Sequence, residues 1–443
     1  MKYTISVLLL WWVVLTTLAQ EAKKPVHQLS GYWRNYYMAT LNADSLGDFQ
    51  ALATGGLLKY EATPGKRISL GAGLYTSINT GIQDLTRPDP VTGKLSRYEL
   101  GLFDVENPAR RAIFLPGELY IRAKLGSHQL SLGRMKLVTP FINPQDGRMI
   151  PTLEEGIWYQ RNQQNSQLQA GIITRIAARS TARFYPIGRS IGTYPVGRTV
   201  DGKPASYAGN TQSDFVAVLG GTRGFTSGKI EAWAYYTHNL FAMTYLKPSL
   251  TLGSTGHSLS AEWMRQSRAG QGGSEWDSLR YFEQKKANVL GGQWQWKKGS
   301  HQLQVGYDFI TGQGRFLFPR EWGREPLFSF QKRERSEGSA LNHALVFAYD
   351  RSAKFDENTL NTQLSIGYHW KAPVGSAALN KYAMPDYAQL NVDVFYVSKK
   401  RPNWKPEFLC TYKWAAEELP VNPNLYFNKA DMWHVNMIVN YQF

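Results

Sequence analysis

The chain has little cysteine, little negative charge and few long apolar stretches. One Cys in 443 residues excludes a disulfide scaffold and a multi-thiolate zinc site. A mean hydropathy of −0.38 excludes a polytopic helical membrane protein, which needs several runs of about 20 apolar residues. Acidic residues number 34 against 50 Lys and Arg, leaving a net charge of +16. Aromatic residues are plentiful at 13%, which argues against disorder. The length allows two or three soluble domains or one large β-barrel.

Lys2, the apolar run from Ile5 to Leu15 and the small residues Thr17-Leu18-Ala19 form the pattern of a secretory signal peptide. The run is too short for a spanning anchor. Residues 1–19 are therefore expected to be a leader, and 20–443 the exported domain.

From there the sequence alternates with period two. Trp433, Val435, Met437, Val439, Tyr441 and Phe443 share one face of the last segment, and His434, Asn436, Asn440 and Gln442 share the other. Leu303 to Phe309, Thr362 to Trp370, Leu390 to Tyr396 and Glu118 to Lys124 repeat the pattern. Only a strand sends alternate residues to opposite faces, and no segment reads as an amphipathic helix. Tyr and Trp near segment ends (Trp33, Tyr36, Trp158, Tyr235, Trp296, Trp414) suit the interfacial girdles of a membrane barrel. The final Phe443 ends an amphipathic strand, as in bacterial outer-membrane barrels.

The fold expected is all-β: a transmembrane antiparallel barrel of about 18 strands with inward-folded constriction loops. Strands are placed near 27–42, 49–62, 66–78, 115–125, 128–136, 155–163, 166–177, 212–224, 229–240, 242–252, 256–267, 286–298, 301–311, 339–350, 358–370, 387–398, 404–415 and 431–443. Tight turns such as Gly126-Ser127 and Gly299-Ser300 alternate with long stretches such as 79–114, 178–211 and 312–338, the periplasmic and external connections of such a barrel. The join near Phe241 has almost no length, so sixteen strands is the alternative count. A barrel this wide has room for an aqueous lumen.

Arginine clusters while acid is missing. Between Gly156 and Thr199 no acidic residue occurs, yet Arg161, Arg175, Arg179, Arg183, Arg189 and Arg198 do. Parity places Arg175 opposite Leu168, Ala170, Ile172 and Ile176, and so in the lumen with Arg122 and Lys124. A charge at the lipid midplane costs about 2–4 kcal/mol, so such side chains turn inward. Rows of Arg or Lys favour anions, and guanidinium suits bidentate capture of carboxylate. The plainer reading is a basic surface whose loop arginines, Arg183, Arg189 and Arg198, bind lipopolysaccharide phosphates. The segment 133–156 starts on Gly133-Arg134, is stiffened by Pro140, Pro144 and Pro151, and returns at Glu155-Gly156, which suits a loop folded into the pore.

That segment resembles the OprD family of substrate-selective porins through Gly133, Arg134, Thr139, Pro140, Asp146, Arg148, Met149, Pro151, Glu155 and Gly156. It departs from the family at Glu154, where an aromatic is usual, and the loop 312–338 has no assignable counterpart. The resemblance implies an outer-membrane channel for passive, selective diffusion of small carboxylate-bearing solutes: amino acids, small peptides, organic or sugar acids. Arg122, Lys124, Arg134, Arg148, Arg161, Arg175 and Arg179 are the candidates for the basic pore lining. Asp146, Glu154, Glu155 and Asp308 are the candidates at the constriction, selecting any positive group on the solute; an ion pair of Asp146 with Arg148 that fixes the loop is the structural alternative. Partners are small anionic or zwitterionic solutes, outer-membrane lipid and lipopolysaccharide, with no nucleic acid, cofactor or metal; monomer and trimer both remain open.

The competing functions are a FadL-type transporter of hydrophobic compounds and an outer-membrane hydrolase. The first needs an N-terminal hatch, whereas strand-like sequence begins near His27. For the second, no nucleophile elbow or zinc signature occurs; His434 reads as a wall residue and Cys410, in phase with Phe408 and Tyr412, as lipid-facing filler.

Overall fold

The computed structural model describes residues 26–145, 148–194 and 196–443; the expected leader over 1–19 lies outside them. Nineteen strands occur in chain order. They are β1 (Val26–Asn42), β2 (Phe49–Thr63), β3 (Ile68–Asn79), β4 (Ala112–Leu125), β5 (His128–Met135), β6 (Leu153–Gln163), β7 (Ser166–Ala177), β8 (Tyr185–Pro186), β9 (Val216–Phe225), β10 (Gly228–Thr237), β11 (Phe241–Leu252), β12 (His257–Arg268), β13 (Lys286–Lys298), β14 (His301–Ile310), β15 (Asn342–Phe355), β16 (Asn358–Trp370), β17 (Tyr387–Ser398), β18 (Trp404–Ala415) and β19 (Met432–Gln442). β8 is a two-residue ladder inside a loop. The other eighteen each pair antiparallel with their neighbours, and β1 pairs with both β2 and β19. The sheet is therefore closed, which leaves no free edge.

The alternation seen in the sequence is the inside–outside alternation of this wall. On β19, Trp433 and Met437 are 45% and 53% exposed, while His434 and Asn436 are wholly buried. Cys410 lies in phase with the outward Phe408, and Leu409 points inward. Gly126 and Gly299 close their two-residue turns at φ +57°, a left-handed backbone that glycine adopts without steric cost. The doubtful join is a three-residue connection, 238–240, closed by the Leu240 N–H donating to the Thr237 carbonyl at 3.1 Å. It separates two full strands, so the count is eighteen.

Two bulges break the parity. One lies opposite Gly73/Leu74 on β4 and one near Glu155/Gly156. At the second, Gly156 pairs with Ile173 and Glu155 with Arg175, so Thr174 is the extra residue. Beyond it Ile176 turns into the core with no exposure. That corrects the expectation for Arg175: straight alternation put Ile176 on the lipid and Arg175 in the lumen, and the bulge exchanges them.

At the end bearing the long connections, the loops fold inward. Phe141 and Ile142 of loop 136–152, Ile187 and Ile191 of loop 178–215, and Phe316, Leu317 and Trp322 of loop 311–341 form one apolar cluster with wall residues Trp233, Tyr235, Phe241 and Tyr245. Phe141 meets Tyr245 edge-on at 5.3 Å and 86°. Fully burying such a side chain contributes about 1.5–3 kcal/mol, which explains why chain with no internal period is nevertheless held in place. A second cluster packs Tyr98, Leu100 and Leu102 of loop 80–111 against Tyr36 and Met38 of β1 and Tyr75 of β3.

Candidate functional site

Loop 311–341 runs across the lumen as a strut. On one shore the Ser329 N–H donates to Asp308 of β14 at 2.5 Å, and the Phe328 N–H to Glu262 of β12 at 3.1 Å. On the other, Lys332 pairs with Asp393 of β17 and with Glu407 of β18 at 3.0 Å, and Glu334 pairs with Lys413 of β18. Arg333 donates to the Tyr36 hydroxyl at 2.8 Å and the Asn436 side chain at 2.9 Å. Burial alone would raise the Glu334 carboxyl, but the ammonium groups of Lys413 and Lys371 hold it well below the usual carboxylate range.

Midway, the strut is tied to its neighbouring loops. The Glu321 carboxylate accepts from the backbone N–H groups of Gly192 (2.7 Å) and Tyr194 (3.2 Å), and its carbonyl from Thr152 (2.9 Å). Trp322 Nε1 donates to Ser190 at 2.7 Å. Arg335 reaches both Glu325 (3.0 Å) and the side-chain oxygen of Gln145 (2.8 Å).

A narrow cavity of about 60 Å³ remains between these loops and loop 80–111. Eight cations line it: Arg97, Arg148, Arg179 and, from the strut, Arg320, Arg324, Lys332, Arg333 and Arg335. Glu334 is the one carboxylate among the lining residues. Several of these cations are spoken for: Arg320 by Glu337 at 2.6 Å, Arg335 by Glu325 and Lys332 by Asp393. Arg97 and Arg324 have no carboxylate at ion-pair distance among the described residues. Arg324 lies over the Phe330 ring at 4.8 Å and Arg97 over Tyr98 at 5.7 Å. Planar guanidinium groups held over aromatic rings leave their N–H edges available for a carboxylate.

Of the residues expected from sequence, Arg148 and Arg179 lie on this cavity. Arg134 pairs with Glu155 at 2.7 Å, and Arg175 stands 4.0 Å from the same carboxylate, in a group on the upper wall. Arg122 points inward near the short-turn end, stacked on Tyr120 at 4.4 Å, and Lys124 is exposed beside the turn. Arg161 falls in phase with the outward Ile157 and Tyr159 rather than with the inward Trp158. Glu154 is buried and accepts the Leu137 N–H at 2.9 Å, and Asp308 pins Ser329; both hold loops in place. Asp146 lies outside the described residues. Sequence reasoning missed Arg97 and the five strut cations, although Lys332-Arg333-Glu334-Arg335 is a dense charge run inside an aromatic-rich loop.

A closed antiparallel barrel with an apolar outer face and a lumen narrowed by its own loops defines an outer-membrane porin. Residues 100–342 match the model of the OprD family of outer membrane porins, and the chain belongs to that family. The fold recurs in solved structures of low identity. Acinetobacter baumannii OccAB3 superposes with a TM-score of 0.72 at 14% identity, over 94% of this chain and 99% of that one. Pseudomonas aeruginosa OpdK with vanillate gives 0.68 at 14%, over 94% and 98%. P. aeruginosa OccK2 in complex with glucuronate gives 0.67 at 13%, over 96% and 99%. Among curated proteins none matches the sequence.

Proposed function

We propose that this porin passes small carboxylate-bearing solutes, and that its selectivity resides in the arginine-lined cavity beside the strut. The observation that carries the reading is the pair Arg97 and Arg324, two guanidinium groups in a narrow passage with no carboxylate at ion-pair distance among the described residues. An entering carboxylate exchanges part of its hydration for their N–H donors. Arg148, Arg179 and Arg333 keep the local potential positive on every side of it. Glu334, neutralised by Lys413, limits how far the potential rises and offers a contact for the ammonium of a zwitterion. Nothing in this scheme consumes energy; the solute follows its gradient. The solved relatives carrying vanillate and glucuronate support the carboxylate class. Reversal potentials in planar bilayers under a KCl gradient test the reading: anion preference is expected, and a cation preference would refute it. Liposome swelling with amino acids, dipeptides and sugar acids then ranks the substrates.

A further inference from the structure

The outer face of the barrel carries two neighbouring cations that no carboxylate meets. Across β11, β12 and β13 the outward residues fall into rows. Leu246, Trp263 and Leu290 form one row, which Phe309 of β14 continues. The row above it holds Thr244, Arg265 and Asn288, and the next holds Ala242, Ser267 and Lys286. Arg265 and Lys286 are exposed, and neither has an ion pair or side-chain hydrogen bond among the described residues. Parity fixes the side on which they stand. Glu262, Met264 and Gln266, which alternate with Arg265, are buried, as are Ala287 and Val289 next to Lys286.

Their height on the wall follows from β13. Trp296 pairs with His257 at the short-turn end and marks the inner edge of the lipid-facing band. From there to Lys286 the strand, at about 3.3 Å per residue and a tilt of about 40°, climbs about 25 Å, the height of the whole band. Lys286 therefore stands where headgroups begin, and Arg265 one row lower, just above the aromatic row of Trp263 and Phe309. The other cations open to lipid phosphates are engaged. Arg183 and Arg189 share Glu106 at 3.2 and 3.3 Å, and Arg134 and Arg175 share Glu155. Arg198 donates to the carbonyls of Val374 (2.7 Å) and Asn380 (2.8 Å).

Arg265 and Lys286 are diagonal neighbours on paired strands, roughly 7–8 Å apart, a gap that one phosphate group fills. The guanidinium takes two phosphate oxygens side by side and the ammonium a third as a point charge. The hydroxyls of Thr244 and Ser267, in the same two rows, add donors. Below them Leu246, Leu259 and Leu290 are exposed and offer hydrocarbon to acyl chains. Phosphate above and hydrocarbon below describe one amphiphile.

We propose that Arg265 and Lys286 bind a phosphate of lipopolysaccharide, the acyl chains of the same molecule lying on Leu246, Leu259 and Leu290. The site is independent of what passes through the lumen.

Native mass spectrometry of the purified barrel in detergent, titrated with diphosphorylated lipid A, tests it. The first lipid A is expected to bind at least about tenfold more tightly than its fully dephosphorylated form, since each cation near a phosphate surface adds to the attraction. Arg265→Gln combined with Lys286→Gln should impose a similar loss on lipid A. Arg351→Gln, an exposed cation at the short-turn end, should impose none. Should the double variant fail to fold, Lys286→Gln and Lys286→Arg decide the matter, the first losing affinity and the second retaining it. Lipid A binding unchanged by these Gln substitutions, or equal for the dephosphorylated lipid, overturns the proposal. Inorganic phosphate separates a lipid from a bare anion. In about a hundredfold excess it should leave lipid A in place, because the acyl chains hold the lipid as well. Displacement at equal concentration reduces the site to one for free phosphate and overturns the lipid assignment.

Discussion

The constriction and the chamber beneath it are enclosed by one barrel, yet they differ in how their surfaces are made. The upper space is lined by loops and is crowded with guanidinium. The lower one, of about 310 Å³, is lined largely by the wall: Gln293, Gln304, Gln363 and Asn391, with Asp350 receiving hydrogen bonds from Gln302 and Gln304 at 2.9 and 3.0 Å. Arg324 and Lys332 stand at the border of both. In this chamber Gln293, Gln304 and Asp350 bond to one another along the pleat, so the wall presents mostly amides and little net field. Loop cations are positioned by contacts far away in the chain and can be left without counter-charges. On the proposed reading, charge selection belongs to the loops and hydration to the wall.

That contrast can be broken outright by reversing the two unmatched guanidinium groups. A unit charge about 4 Å from a solute charge is worth about 1 kcal/mol in bulk water and about 4 kcal/mol at an effective dielectric constant of about 20. Arg97→Glu with Arg324→Glu should therefore invert the sign of the reversal potential in a salt gradient; an unchanged sign would move selectivity elsewhere. Next in size is the strut's attachment. Glu334→Gln leaves Lys413 buried beside a neutral amide, and breaking a buried pair of this kind costs about 3–5 kcal/mol. Single-channel records should become noisier with larger open conductance, whereas quiet wild-type currents would show that the pair does not fasten the loop.

How much of this was legible in the sequence divides along the same line. The wall was readable almost strand by strand, because its inside–outside pattern repeats every two residues and its turns carry Gly and Ser. It failed where an added residue broke the period, at Thr174. The constriction was readable in two places, in Arg148 through a local motif and in Arg179 through an acid-free run of arginines. Arg335 meets Gln145 across 190 positions, and Glu321 meets Gly192 across 129; no spacing announces such pairs. The acids expected to select solutes, Glu154 and Asp308, instead accept backbone N–H groups of the loops. A buried carboxylate and a pore-lining one look identical when only parity is known.

Smaller effects sharpen the comparison. Lys429 is faced by Lys94 and Arg97 from loop 80–111, Arg198 from loop 178–215 and Arg320 from the strut, and burial together with these like charges lowers its pKa to about 7. Because the unfolded chain holds this proton up to about pH 10.4, the same group makes the folded state more stable as pH rises from about 7 to 10. Thermal melting between pH 7 and pH 10 should lose this slope in Lys429→Met, and an unchanged slope would assign it to another group. The least effect is expected in the lower chamber, where Gln304→Ala and Gln363→Ala should leave ion preference unchanged and shift stability by no more than about 0.5 kcal/mol each; a marked change in selectivity would erase the distinction between the two spaces.

A beam moored at both banks has a mechanical consequence. Widening the aperture requires at least one mooring to part, and each is an ion pair, a side-chain hydrogen bond to the wall or a backbone anchor rather than a hinge. On the proposed reading the aperture therefore acts as a fixed sieve for a crossing solute. Flexible molecules must adapt their shape to it, and rigid ones are accepted or turned away by their cross-section.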